Sequence, residues 1–203
     1  GAYTTFALWT IEGTAILWVC IRQRNLLGRV FAMLVQLGGA VLFFIDYGDY
    51  ARANAWFNDA VLGCAIIAVA SFISATLYRR SRAEVTGGEQ QLAGILLGWG
   101  ALWYSLGGLD AIHHGVLDAA SRPAIAIVYF SISAIVAELL GSRSGWGALR
   151  GLTVVHPLIL SVAGVFQFVQ GGPPLGNLGW LAWPSGLGGL FWLLHRQRRD
   201  GFD

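Results

Sequence analysis

Lysine is absent from this 203-residue chain, and all thirteen of its basic residues are arginine. Without lysine the chain can form no Schiff base with retinal and has no lysine nucleophile. Its two cysteines, Cys20 and Cys64, are expected near opposite membrane faces, too far apart for a disulfide, so both are predicted to be packed thiols. No glycine-rich segment has the context of a phosphate-binding loop, and no complete metal signature is present. No cofactor is therefore predicted.

What the chain does contain is a series of long apolar stretches. Hydrophobic residues make up 56% of the sequence and charged residues only 12%, with a mean hydropathy of +0.61. About 20 helical residues cross a hydrocarbon core of about 30 Å. The pattern predicts an all-α, polytopic transmembrane helix bundle of about seven spans, formed as one domain over residues 1–203. The predicted spans are Tyr3–Ile21, Arg29–Ile45, Ala60–Tyr78, Leu92–Leu109, Pro123–Leu140, Thr153–Val169 and Leu178–His195.

The arginines predict how the spans are oriented. Eleven of the thirteen fall in the loops after the first, third and fifth stretches and in the tail; only Arg52 and Arg122 lie on the other side. Positively charged loops of membrane proteins stay in the cytoplasm. We therefore expect the N-terminus outside and the C-terminus inside.

Glu12 is the acidic residue deepest within a predicted span. Ionisable groups at that depth are costly and mark functional sites by default. Glu12 is predicted to face other helices, beside Gly13, which allows close helix approach. One interpretation is a substrate or proton path containing Glu12 and Gln36. The alternative is structural: Glu12 is protonated, or bonded to a neighbour such as Gln36, and holds the helices together.

A second group of polar residues is expected at the outer face. If residues 110–118 are helical, Asp110, His114 and Asp118 share one side of the helix at i, i+4, i+8 spacing. The short outer loops could bring these residues together to bind a cation, sugar or headgroup; an ordinary polar loop with helix caps is the alternative. No metal site is predicted. The full candidate cluster is Asp46, Asp49, Asp110, His113, His114 and Asp118. Glu138 lies near the inner interface, where Arg143 is a candidate partner, and is assigned no chemistry.

Two helix ends repeat one another in sequence. Residues 18–24 read WVCIRQR and residues 192–198 read WLLHRQR. This similarity indicates either a repeated unit or the tryptophan and arginine that any inner interface favours. The helix from Trp9 to Trp18 with Glu12 and Gly13, together with Trp183 and Pro184 before the second such end, resembles a family of very long bacterial predicted membrane proteins. That resemblance implies many more spans, a bacterial inner-membrane location, and a piece of a longer protein; it implies no mechanism.

These observations leave three functions open. The first is part of a transport or cell-envelope assembly protein, the second a membrane-embedded enzyme acting on a lipid-linked or glycan substrate at the outer face, and the third a structural scaffold. A deep polar cavity at Glu12 would favour the first, and acids clustered around an outward groove the second. The expected partners are the lipid bilayer and the remaining spans or partner membrane subunits, not nucleic acid.

Overall fold

The computed structural model describes residues 2–47, 58–116, 118–169, 173 and 175–201. Every regular element among them is helical. The main helices are α1 (Ala2–Arg22), α2 (Leu26–Ile45), α3 (Asp59–Arg80), α4 (Gly87–Gly115), α5 (Arg122–Ser144), α6 (Gly147–Gly151), α7 (Val155–Val169) and α8 (Gly179–Arg199). Short 3₁₀ turns cover Ala119–Ser121 and Leu152–Val154. The all-α prediction is confirmed.

Six helical stretches in the described part of the chain are long and apolar enough to cross a membrane. They correspond to the first six predicted spans. The seventh, α8, forms as a helix but is not among these six, because its last turn carries three arginines and its interior three glycines and a proline. Large apolar side chains lie exposed along the spans, including Leu27, Phe44 and Ile45, each at least 70% exposed. Apolar exposure of this extent is typical of a surface that meets lipid or further protein.

Contacts divide the chain into two compact units, residues 1–115 and 116–203. Each is described by itself, and the single bundle expected from the sequence stays a prediction. In unit 1, α1 packs along α2, α3 packs along α4, and α1 also packs on α3. In unit 2, α5 packs on α8, α6 and α7.

Helix starts in unit 1 follow from capping residues in the sequence. Asn25 and Asn58 accept hydrogen bonds from the amides of Gly28 and Val61, at 3.1 and 2.8 Å. Such caps satisfy amides that have no partner within the helix. The predicted start at Arg29 is therefore late, because Asn25 begins α2 one turn earlier.

The core of unit 1 is aromatic and closes on a glycine. Phe43 packs against Phe6 and Trp103, with ring centroids 4.7 and 5.5 Å apart. A Cβ at Gly63 would collide with the Phe43 ring, so glycine here lets α3 approach α2. The smaller core of unit 2 comprises Ala124, Ile127, Leu160 and Ala182. Both cysteines are buried and free, as predicted.

Candidate functional site

A buried carboxyl group organises the end of unit 1 that carries residues 47, 58 and 110. Asp110, in the last turns of α4, is 8% exposed. Its Oδ1 accepts a hydrogen bond from the Tyr47 hydroxyl at 3.1 Å, and its Oδ2 accepts one from the Asn58 amide at 2.9 Å. His114 lies one turn further along α4, with Nδ1 3.3 Å from Oδ1. We call Tyr47, Asn58, Asp110 and His114 the Asp110 cluster.

The Asp110 cluster fixes the protonation of its neighbours. Burial, and then the negative charge of Asp110, raises the pKa of the Tyr47 hydroxyl well above its usual range, so Tyr47 remains a donor. Nδ1 of His114 is also 3.1 Å from the Asp110 carbonyl oxygen. Both neighbours of this nitrogen are acceptors, so Nδ1 carries a proton, and in the neutral ring Nε2 is the basic nitrogen. The carboxylate and the carbonyl oxygen together therefore orient the imidazole ring.

The predicted outer-face residues meet only in part. Asp110 and His114 share a helix side, as their spacing predicts. The contact from the α2 end is made by Tyr47, one residue after Asp46. His113 is exposed, with its ring centroid 4.9 Å from that of His114, and Asp49 lies outside the described residues. Among the described residues no three histidine, cysteine, aspartate or glutamate side chains could hold a metal ion.

Asp118 belongs to unit 2 and acts as a helix cap. Its carboxylate accepts hydrogen bonds from the Ser121 hydroxyl at 2.6 Å and the Ala120 amide at 3.1 Å. The Ser121 hydroxyl, followed by that amide, lowers the pKa of Asp118. This corresponds to the alternative of a polar loop with caps.

Tyr47 and Asn58 are cluster members that the sequence reasoning missed. Nothing in the local sequence pattern around Tyr47 indicates a carboxylate partner. Asn58 stands directly before an apolar stretch, which is the signature of a cap. Its Oδ1 caps α3 while its Nδ2 binds Asp110, so the second role uses the amide nitrogen that capping leaves free.

The predicted path through Glu12 and Gln36 is not formed as expected. Glu12 is exposed on the surface of α1 and has no hydrogen-bond or ion-pair partner among the described residues. The prediction that it faces neighbouring helices is therefore wrong. The buried stripe of α1 runs through Phe6, Thr10, Gly13 and Leu17, spaced three or four residues apart. Glu12 lies about 100° away from Gly13 around the helix.

Gln36 is buried and pairs with Ser74 of α3, not with Glu12. Its amide nitrogen lies 3.1 Å and its amide oxygen 3.2 Å from the Ser74 hydroxyl. A Cβ on Gly13 would lie 2.6 Å from the Gln36 side chain, so Gly13 is the α1 residue that packs here. A cavity of about 10 Å³ beside Gln36 is also lined by Thr10 and Ser71. That volume is close to the minimum for one water molecule, far short of a deep polar cavity.

The opposite end of unit 1 contains a buried ion pair. Arg29 of α2 is 3% exposed, and its guanidinium contacts Glu89 of α4 through Nε at 2.8 Å and Nη2 at 3.1 Å. Glu89 also accepts hydrogen bonds from the amide and hydroxyl of Thr86, at 2.8 and 3.0 Å. The bond from the Thr86 amide to Glu89 is the carboxylate half of a capping box, so one carboxylate both caps the start of α4 and ties it to α2.

Unit 2 has a larger buried network around Glu138, which is fully buried. Nη2 of Arg150 lies 2.8 Å from Glu138 Oε1 and 3.1 Å from Asp200 Oδ2. The Gln197 amide donates to Glu138 Oε2 at 2.9 Å, and Arg196 Nε lies 3.7 Å from Oε1. The predicted Arg143 partner is wrong: Arg143 is exposed. Arg150 replaces it because the short helix α6 turns back onto α5, a reversal that sequence spacing does not report.

His156 is another polar residue buried in unit 2. It is 2% exposed, and its Nε2 lies 3.2 Å from the carbonyl oxygen of Gly186. Its Nδ1 has no hydrogen-bond partner among the described residues. This contact ties α7 to the glycine-rich face of α8.

The repeated helix ends carry the same stacked pair. The Arg22 guanidinium lies 4.6 Å from the Trp18 ring centroid, and that of Arg196 lies 5.3 Å from the Trp192 ring centroid. Both are cation–π contacts across one helical turn. Arg196 also donates to the Ser142 hydroxyl at 3.0 Å, whereas Arg22 has no other partner among the described residues.

Comparison of the chain with protein-family models, curated proteins and solved structures finds no match. The resemblance of both chain ends to the long bacterial membrane-protein family therefore stays a prediction. Within each unit, most of the buried polar side chains bond to another side chain of the same unit.

Proposed function

We propose that this chain is part of a bacterial inner-membrane protein of transport or cell-envelope assembly, oriented with its arginine-rich helix ends in the cytoplasm. The observation that carries the proposal is the exposure of Glu12. It lies midway along α1, about 15 Å from either end, on a helix face that also carries the exposed apolar residues Leu8 and Val19. A carboxyl group facing hydrocarbon without a partner is costly. A further span or a partner subunit meeting this face would supply the partner.

The proposal predicts that Glu12 is covered in the intact protein. Carbodiimides modify carboxyl groups in apolar surroundings, so labelling with dicyclohexylcarbodiimide followed by peptide mass spectrometry reports on this face. We expect Glu12 to be protected in native membranes and to react after detergent separates the chain from its neighbours. Glu138 should stay unreactive in both states, because it is buried and paired. Equal labelling of Glu12 before and after detergent would mean that it faces lipid, and would exclude the assembly role.

A paired set of substitutions tests the same idea. Glu12→Gln keeps hydrogen bonding and should preserve the intact assembly on native gels, whereas Glu12→Leu should weaken it. If Glu12→Leu assembles as well as the unaltered protein, no polar partner meets this face.

The second candidate is an enzyme acting on a lipid-linked or glycan substrate at the outer face. The Asp110–His114 contact favours it, since a carboxylate that orients an imidazole is a common arrangement for general-base catalysis. Such an enzyme needs His114 to be reachable from outside. In sealed vesicles with the outer face exposed, diethylpyrocarbonate should modify His114 as well as the exposed His113. Modification of His113 alone would exclude this role and favour the scaffold, in which the Asp110 cluster only joins α2, α3 and α4.

A further inference from the structure

An apolar groove runs along the surface of unit 1 between α1 and α3. It encloses about 540 Å³, within the range of small-molecule sites. Ile11 and Trp18 mark its extent on α1, and Ala65 and Leu77 on α3. Leu77 follows Ala65 by twelve residues, a distance of about 18 Å along the helix. One leaflet of the hydrocarbon core is about 15 Å thick, so the groove has the length of one acyl chain.

One end of this groove is positively charged. Arg22 follows Trp18 by four residues and Arg80 follows Leu77 by three, so each lies on the groove side of its helix, one turn beyond the last lining residue. The Arg22 guanidinium is held against the Trp18 ring. Both arginines are exposed, and neither has a carboxylate partner among the described residues. The buried arginines Arg29 and Arg150, in contrast, are both bound to carboxylates.

From this geometry we propose that the groove binds an anionic glycerophospholipid, with an acyl chain between α1 and α3 and its phosphate between Arg22 and Arg80. Arginine is suited to phosphate because its guanidinium offers two parallel donors. The tryptophan of the stack lies where aromatic residues meet headgroups. The site depends on these helices crossing a membrane, not on a transport or assembly role.

A second copy of the chain is a poorer occupant for the same groove. If a span of a second copy filled the groove at the same depth in the membrane, the arginines at its own cytoplasmic end would lie beside Arg22 and Arg80. Eleven of the thirteen arginines lie in such positions, so the contact would place like charges together. A lipid brings the opposite charge.

Photocrosslinking in nanodiscs tests the site directly. The full chain is embedded in phosphatidylcholine containing a small fraction of phosphatidylglycerol with a diazirine at the end of one acyl chain. After irradiation, peptide mapping should find the lipid on residues 11–18 and 65–77. Unlabelled phosphatidylglycerol should compete for the site and added phosphatidylcholine should not. Equal competition by both lipids would reduce the groove to ordinary annular contact and overturn the proposal.

Matched variants distinguish the contribution of the arginine charges from that of the groove's shape. Arg22→Gln and Arg80→Gln should each lower phosphatidylglycerol crosslinking about fivefold, the effect of one arginine near an anionic headgroup. Arg82→Gln removes the same charge from an exposed position beyond α3 and should change little. Ala65→Phe fills the groove and should abolish the crosslink, whereas Ile95→Phe on exposed α4 surface should not. If Arg82→Gln lowered crosslinking as much as Arg80→Gln, the lipid would be responding to general surface charge and the proposal would fail. A crosslink between two protein chains in place of the lipid crosslink would show that a second copy occupies the groove.

Discussion

Substitution of Arg150 should destabilise unit 2 more than substitution of any other arginine there. Arg150→Met leaves Glu138 fully buried, with Arg196 Nε at 3.7 Å as its remaining cation. Removing one partner of a buried ion pair costs about 3–5 kcal/mol of unfolding free energy. Because Arg196 remains near Glu138, we expect a cost near the lower end of that range. The Arg150–Asp200 contact is worth less, because the Asp200 side chain is 33% exposed. Asp200→Asn should cost below about 1 kcal/mol.

The control and the double substitution make this prediction specific. Arg143→Met removes an exposed arginine from the end of α5, the helix that carries Glu138, and should stay within about 0.5 kcal/mol. The double variant Glu138→Leu with Arg150→Met removes both charges, so its cost should fall well below the sum of the two single costs. Unfolding free energies from dodecyl sulfate titration in mixed micelles, followed by circular dichroism, give all of these values. Equal costs for Arg143→Met and Arg150→Met would refute the reasoning, as would full additivity in the double variant.

Three further predictions follow from the fold. A single cysteine at Ala119 should react with an impermeant maleimide from outside the cell, and one at Ser81 should not; labelling of Ser81 would overturn the orientation. Asp110→Leu should lower the free energy of unfolding by about 1–3 kcal/mol, because it leaves buried donors unsatisfied, and Asp110→Asn should lower it less. If thermal melts in detergent find Asp110→Asn the less stable variant, the cluster does not stabilise unit 1 in this way. Gly63→Ala should cost about 1–3 kcal/mol by overpacking, whereas Gly94→Ala, with open space around its Cβ, should be neutral or stabilising on the same melts.

The sequence predicted helices better than it predicted contacts. Hydropathy found α3 as Ala60–Tyr78 where the structure has Asp59–Arg80, because a run of apolar residues this long has few other stable states in a bilayer. The i, i+4 relation of Asp110 and His114 was also predictable, since it depends only on helix geometry. The Tyr47 contact was not, because it depends on how α2 and α4 are placed in space.

The two errors of side-chain placement have different origins. The exposure of Glu12 could have been anticipated: the small and apolar residues of α1 fall on a stripe through Gly13 that leaves Glu12 to one side. The partner of Glu138 could not. Arg143 is five residues away and Arg150 twelve, and only the reversal at α6 makes the more distant one a neighbour.

The double role of Glu89 links two events that are usually independent. Fraying of the first turn of α4 and release of Arg29 from α2 both require the same carboxylate to let go. The two helices should therefore open as one cooperative unit at this end. Hydrogen exchange at the Thr86 amide, which Glu89 protects, then reports on the attachment of a helix some sixty residues earlier in the chain.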